Sequence, residues 1–303
     1  MVLFSRSEEI SRMKNYFEYT KLLSPPIKRA AYSDRTAWLM AEMSRLAYSI
    51  FESDDADLKA ALSKAGFELV RFFNCDGTQA FLAKRDKDKM AVLAFRGTQK
   101  EDPRDIVTDL KANFYQDQKG VKIHDGFYRA YKCVETDINN AVGTLRDFAL
   151  YVTGHSLGGA LALLATRALN SDNLASCYTY GSPKVGNEEF GEDIKPPIYR
   201  VVNAYDIVPI SPPTYIFDIM NLLPWEKVRN FAKKFLGYDH HGDMRYLSPC
   251  KNNSEGLKII SNYNDFLRLI GIWTHRKESI KHHDIDAYCE KLGQWALKRL
   301  DVA

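Results

Sequence analysis

One short stretch limits the fold more than any other. Gly154-His155-Ser156-Leu157-Gly158-Gly159 lies between an apolar run at 148–153 and an Ala/Leu-rich run at 157–169. It fits G-x-S-x-G, a pattern that puts a serine on a tight turn between a strand and a helix. Such a bend tolerates no bulk beside the serine, and glycines after it let the helix pack close to the strand. The serine then stands at the sheet edge over a helix N-terminus, where developing negative charge is favoured. Three fixed positions match by chance about 0.1 times in a chain of this length. The flanking strand and helix patterns are those the motif requires and lower that chance. The plainer alternative is a glycine-rich turn with a capping serine and no chemistry.

The rest of the chain repeats the alternation. Residues 69–74, 79–84 and 90–95 read as strands, the first two joined by a turn at Asp76-Gly77. Helical spacing covers 34–50, with Asp34 as N-cap and Trp38, Met43, Leu46 and Ile50 on one face, and 124–145. Strand patterns return at 175–180 and 198–204, and a last helix spans 285–300 with an inward stripe of Ile285, Tyr288, Leu292, Trp295 and Ala296. Strands alternating with helices predict an α/β fold with a mostly parallel central sheet flanked by helices on both faces. The 303 residues divide into an N-terminal extension, 1–33, that ends near Ser24-Pro25-Pro26, and one domain, 34–303. Within it, 211–237 reads as a helical insertion or cap.

A serine nucleophile needs a base, and the base an orienting acid. On this architecture the chain order is serine, then acid, then histidine. Asp206 ends the strand run at 198–204, where a side chain reaches the carboxyl edge of the sheet; Asp193 and Asp218 lie in less strand-like surroundings. Of the five histidines after Ser156, His282 and His283 precede a helix that Asp284 could cap. The residues alone leave both open.

Other classes fit less well. Lys plus Arg number 42 and Asp plus Glu 39, a balance of +3, too small for a nucleic-acid binder. The five cysteines are scattered, without C-x-x-C spacing, and read as reduced thiols. His240, His241 and Asp243 lack metal-ligand spacing, and no metal or cofactor is implied. The start of the chain has no signal-peptide pattern, and no stretch has the length of an uncharged membrane span. The expectation is a soluble, cytoplasmic protein.

Several segments, in one order from about residue 41 to 288, resemble the class 3 lipase family, the fungal-type branch of the α/β-hydrolases. They are Glu42-Met43-Ser44-Arg45-Leu46-Ala47-Tyr48, Ala94-Phe95-Arg96-Gly97-Thr98, Thr108-Asp109-Leu110, His124-Asp125-Gly126-Phe127, the elbow, Tyr180-Gly181-Ser182-Pro183-Lys184-Val185-Gly186-Asn187, and Asn203-Ala204-Tyr205-Asp206-Ile207-Val208-Pro209. The resemblance implies an α/β-hydrolase fold with Ser156 as nucleophile, Asp206 as acid and His283, five residues before Tyr288, as base. It places the oxyanion hole at the backbone N–H groups of Thr98 and Leu157, with the Thr98 hydroxyl as a further donor. Ile106 stands where members often carry tryptophan, and His240 fits a position that is not catalytic.

By the same resemblance a lid follows Thr98, but residues 99–107 offer only Ile106 and Val107 as apolar side chains. The better cover is the insertion, where Trp225, Val228, Phe231, Ala232, Phe235 and Leu236 fall within about 140° of helical arc. Lys227, Arg229, Lys233 and Lys234 sit outside that arc with one acid, Glu226. Such a helix either lies on an anionic membrane surface or docks on the core. The expected activity is hydrolysis of carboxylic esters of lipids, as in a triacylglycerol lipase or carboxylesterase, through an acyl-enzyme. The alternatives are a phospholipase A1 acting on membrane lipid and a catalytically inactive hydrolase-fold binding module. The expected partner is a lipid or ester substrate, with peripheral membrane contact as a further expectation.

Overall fold

The computed structural model describes residues 16–24, 30–51, 55–98, 114–212, 226, 237–250, 255–275 and 277–300. Strands β1 (Glu68–Cys75), β2 (Thr78–Arg85) and β3 (Met90–Phe95) form an antiparallel meander at one side of the main sheet. The turn residues Asp76 and Gly77 both take positive φ, 46° and 81°, as a two-residue hairpin requires. A small hairpin, β4 (Phe114–Gln116) with β5 (Lys122–His124), stands apart. The sheet continues with β6 (Ala149–His155), β7 (Leu174–Tyr180), β8 (Ile198–Asn203), β9 (Asp243–Leu247) and β10 (Ile259–Ser261), in the order β1-β2-β3-β6-β7-β8-β9-β10. Pairing is parallel from β3 through β9 and antiparallel at both sides of that block.

The helices are α1 (Asp34–Leu46), α2 (Asp55–Lys64), α3 (Asp125–Gly143), α4 (Leu157–Leu169), α5 (Glu188–Glu192), α6 (Asp265–Thr274), α7 (Ser279–His283) and α8 (Ile285–Leu300). Strand β3 reads Met-Ala-Val-Leu-Ala-Phe and is buried throughout, as a strand covered on both faces must be. Met90, Val92 and Ala94 face α1, α2 and α8 through Trp38, Leu62 and Leu292. Ala91, Leu93 and Phe95 face α3 and α4 through Ile138 and Leu161. Each fully buried Leu or Phe contributes about 1.5–3 kcal/mol relative to exposure, so these two layers fix the sheet between the helices. Parallel pairing sets Phe95 beside Gly154, His155 beside Tyr180, and Asn203 beside Leu247. The segments after β3, β6, β7 and β8 therefore leave the sheet at one edge, where ligands bind in folds of this class.

The α/β expectation holds, with local corrections. The first helix is capped by Ser33, whose side chain accepts from the N–H of Thr36, rather than by Asp34. It ends at Leu46 and tightens into a 3₁₀ segment, Ala47–Phe51, so the α-helix is shorter than the expected 34–50. The expected C-terminal stripe packs on the core, Trp295 remaining partly exposed, and Cys289 joins it as a further buried residue. The reading of all five cysteines as reduced thiols is also corrected. Cys75 and Cys133 form a disulfide with Cα atoms 5.9 Å apart, tying the end of β1 to α3 across 58 residues. Spacing along the chain gave no sign of that approach, because β1 and α3 meet only in the fold. Cys177, Cys250 and Cys289 remain free.

Candidate active site

Four strand ends converge. Ser156 follows β6 and precedes α4 with φ 56° and ψ −127°, a conformation that side-chain-bearing residues seldom adopt and that strained sites hold. The bend exists because the helix comes close to the strands. A Cβ at Gly158 would lie 2.4 Å from the carbonyl oxygen of Phe95, so only glycine lets α4 start here. Ser156 itself is almost fully buried.

The seven residues 277–283 bring the base. Asp284 breaks the chain between α7 and α8, its carboxylate accepting from the N–H of Asp286, and this turn leaves His283 facing the sheet edge. His283 Nε2 is 3.0 Å from Ser156 Oγ, and its Nδ1 is 3.0 Å from each carboxylate oxygen of Asp206. An ionised carboxylate only accepts, so Nδ1 carries the proton. Nε2 is then free to accept from the serine hydroxyl.

Asp206 is fully buried and is held by more than its histidine. Oδ1 accepts from the N–H of Val208 at 2.9 Å, and Oδ2 accepts from the phenol of Tyr288 at 2.6 Å. The Tyr288 oxygen accepts in turn from the N–H of Asn203, the last residue of β8, and burial with the Asp206 charge pushes the phenol well above its usual range. A Cβ at Gly181 would meet Asp206 Oδ2 at 2.6 Å and His283 Nδ1 at 3.0 Å, and its φ is +55°. Glycine after β7 thus makes the space in which acid and base meet.

His282 turns elsewhere. Its ring lies edge-on to Tyr205 and its Nε2 is 3.8 Å from Glu278. Burial lowers its pKa. Asp193 is exposed and pairs with Arg167; Asp218 lies outside the described residues.

Of the two expected oxyanion residues, Leu157 is the first residue of α4, so its N–H has no acceptor within the helix. Thr98 follows Gly97, whose Cβ position would lie 2.7 Å from the carbonyl oxygen of His155. The Thr98 hydroxyl is buried without a hydrogen-bond partner among the described residues. Ile106, Val107, Trp225, Val228 and Phe231, expected at a lid or cover, lie outside the described residues, as does all of the insertion except residues 211, 212, 226 and 237.

Two residues with a part in the site escaped the sequence reading. His155 was only the variable position of the elbow, and Tyr48 only part of the first helical segment. The Tyr48 hydroxyl is 2.8 Å from His155 Nδ1, and His155 Nε2 is 2.7 Å from the carbonyl oxygen of His283. A carbonyl cannot donate, so Nε2–H donates to it and Tyr48 donates to Nδ1. A backbone hydrogen bond from Gly97 also reaches Tyr48. Burial foremost, then the His283 ring, holds the His155 imidazole well below its usual pKa, which keeps it neutral and this donor–acceptor order fixed. The segment bearing Thr98 and the backbone bearing His283 are joined through one buried ring.

His240 and His241 have local roles: His240 Nε2 donates to the carbonyl of Pro209 and His241 packs on Phe190 and Gly191. Among the described residues, the one group of three potential metal ligands is Cys75, Asp76 and Cys133, whose sulfurs are bonded to each other.

Residues 92–216 match the family described as Lipase (class 3). That stretch contains Ser156 and Asp206 and stops short of His283. The chain is 38% identical over 152 residues to the lipase of Rhizopus oryzae, covering 45% of this chain and 38% of that protein. It is 37% identical over 145 residues to phospholipase A1-Igamma2, chloroplastic, of Arabidopsis thaliana, covering 41% of this chain and 26% of that one. It therefore spans well under half the length of these relatives. Among solved structures it is similar to lipase II from Rhizopus niveus, with a TM-score of 0.56 and 26% identity over 74% of this chain and 82% of that one. The strand order and the elbow are those of an α/β-hydrolase, and the segment that carries Ser156 and Asp206 is similar to the class 3 lipase family.

Proposed function

We propose that this protein is a serine hydrolase that cleaves carboxylic esters of lipids, as a triacylglycerol lipase does, through an acyl-enzyme. The observation that carries the reading is the line from Ser156 Oγ through His283 to both oxygens of Asp206, all at 3.0 Å. In it Ser156 is the nucleophile. His283 Nε2 takes the hydroxyl proton as Oγ bonds to the ester carbon. The oxyanion that forms is met by the Leu157 N–H and by Thr98. When the carbon–alkoxide bond breaks, His283 gives its proton to the leaving alcohol, and a water repeats the sequence to release the acid and restore Ser156. Asp206 holds the tautomer and stabilises the imidazolium.

A chain-length series of p-nitrophenyl esters tests this reading. Turnover that disappears in Ser156→Ala supports it, and absence of turnover in the parent supports the inactive binding module instead. The similarity to a phospholipase A1 favours a second reading, cleavage of a membrane phospholipid at its first acyl ester. Comparing rates on triacylglycerol and on phosphatidylcholine, with the released lysolipid identified, separates the two.

The cover built from Ile106, Val107, Trp225, Val228 and Phe231 remains part of the proposal. Charge reversal at Lys233 and Lys234 tests the membrane role of the insertion. The cytoplasmic location is likewise a proposal, tested by locating the protein in the cell, and the Cys75–Cys133 bond is the observation that weighs against it.

A further inference from the structure

Helix α6 buries one face and leaves the other bare. Arg268 and Ile272 point inward, almost fully buried, and Gly271 sits against Tyr205. Leu267, Ile270 and Trp273 point outward with 52%, 47% and 79% of their surface exposed. At 100° per residue these three span about 120° of helical arc, so they form one stripe. Ile280 on α7 is also exposed, at 39%. These are four of the five large hydrophobic residues exposed among the described ones, the other being Tyr115. Apolar side chains gathered in this way mark a contact surface rather than the ordinary scatter of single exposed residues.

The place of the stripe matters as much as its composition. The inward face of the same helix holds the acid: Arg268 donates to the carbonyl of Asp206 at 3.3 Å and pairs with Asp265 at 2.8 Å. Tyr205, the neighbour of Asp206, stacks on His275 with ring centroids 4.1 Å apart. Ile280 lies one helical turn before His283. The bare surface is thus built on the elements that carry the acid and the base.

From this we infer that the outward face of α6, with Ile280, docks on a lipid surface and brings Ser156 to esters held in it. The inference rests on the hydrolase reading above for its purpose but not for its test. Its occupant follows from chemistry. Tryptophan favours the boundary between headgroups and hydrocarbon, and Leu267 and Ile270 supply purely apolar area beside it. Lys277 and Lys281 are exposed in the segment that follows the helix, with Glu278 as the one acid between them, so that segment is net basic and complements anionic headgroups.

The test uses the full chain carrying Ser156→Ala, so that lipid is not consumed, in co-sedimentation with vesicles of equal parts phosphatidylcholine and phosphatidylglycerol. Leu267→Ser, Ile270→Ser and Trp273→Ser together are expected to lower vesicle binding at least tenfold. The same triple change in the Ser156 protein is expected to leave hydrolysis of a water-soluble short-chain ester within twofold. Unchanged vesicle binding by the triple variant overturns the inference. So does a parent that is dimeric in solution and becomes monomeric in the triple variant, since the stripe then meets a second copy. A measurement on an undisturbed apolar face guards against misfolding: brominated phosphatidylcholine should quench tryptophan emission, and Trp273→Phe should remove most of that quenching. Quenching that survives Trp273→Phe places the contact elsewhere and also overturns it. Absence of short-chain hydrolysis in the parent counts against the hydrolase reading alone.

Discussion

His155 Nε2 lies 2.7 Å from the main-chain carbonyl oxygen of His283, so the residue before the nucleophile holds the backbone of the base. The ring is buried and its other nitrogen takes the Tyr48 hydroxyl at 2.8 Å. Tyr48→Phe removes that donor and leaves a buried nitrogen unsatisfied. We expect a stability loss of about 1–3 kcal/mol, measured by urea unfolding. Because a small displacement of the base is costly to rate, kcat on a soluble ester should fall about tenfold with KM nearly constant. A purely structural role would lower stability and leave kcat per folded molecule unchanged.

The two adjacent histidines should behave very differently. His283→Ala is expected to cost nearly as much as Ser156→Ala, about 10⁶ in kcat by analogy with serine proteases. His282→Ala, whose ring faces Tyr205 and Glu278, should keep kcat within about tenfold, the cost of a small displacement of its neighbour. Steady-state kinetics on one soluble ester distinguishes them, and an inactive His282→Ala with an active His283→Ala would reverse the assignment.

Thr98 offers a separate measure of transition-state stabilisation. Its hydroxyl is buried and without a partner among the described residues. Thr98→Val keeps the backbone N–H and deletes the hydroxyl. If the hydroxyl meets the oxyanion, kcat should fall by about 10²–10³, and Thr98→Ser should stay close to the parent. An unchanged kcat in Thr98→Val would leave the backbone N–H groups as the donors.

Stability should depend on pH through buried neutral imidazoles. Burial lowers the pKa of His155, His240, His241 and His282 in the folded state. Below about pH 6.5 the unfolded chain binds protons that the folded chain refuses, so stability falls as pH falls. The slope is about 1.4 kcal/mol per pH unit for each imidazole that stays neutral. Urea unfolding at pH 7 and at pH 5.5 should show this loss, and His155→Gln should have a shallower dependence. A stability that is flat or rises toward pH 5.5 would contradict the buried neutral assignment.

The cysteines give a count. Denatured without reductant, the chain should present three free thiols, Cys177, Cys250 and Cys289. After reduction it should present five, the two added being Cys75 and Cys133. Replacing Cys75 by Ser should lower stability by about 2–4 kcal/mol for a loop of this length. Five thiols before reduction would restore the reduced reading.

What the sequence made legible was what chemistry forces to be local. The elbow needs its glycines within four positions of Ser156, and a parallel strand needs an apolar run, so 90–95 and 175–180 could be read directly. Asp206 could be singled out because it ends such a run. Relations set by tertiary approach were not legible: Cys75 and Cys133 meet through packing of β1 on α3. The choice between His282 and His283 turns on helix phase, since neighbouring residues point about 100° apart and only one can face the sheet edge. The exposed stripe of α6 was not legible, because which face of 265–274 turns outward is set by tertiary contacts of Arg268 with the Asp206 carbonyl and of Gly271 with Tyr205.

The central claim is that Ser156 is the nucleophile, and a covalent label tests it most directly. A fluorophosphonate ester transfers its phosphorus to an activated serine with loss of fluoride and stays bonded there. Peptide mass analysis should find one adduct per chain, on Ser156, with ester hydrolysis falling in proportion to labelling, and His283→Ala should abolish both. Full ester hydrolysis in a fully labelled protein, or an adduct on another residue that alone tracks the loss of activity, would contradict the account.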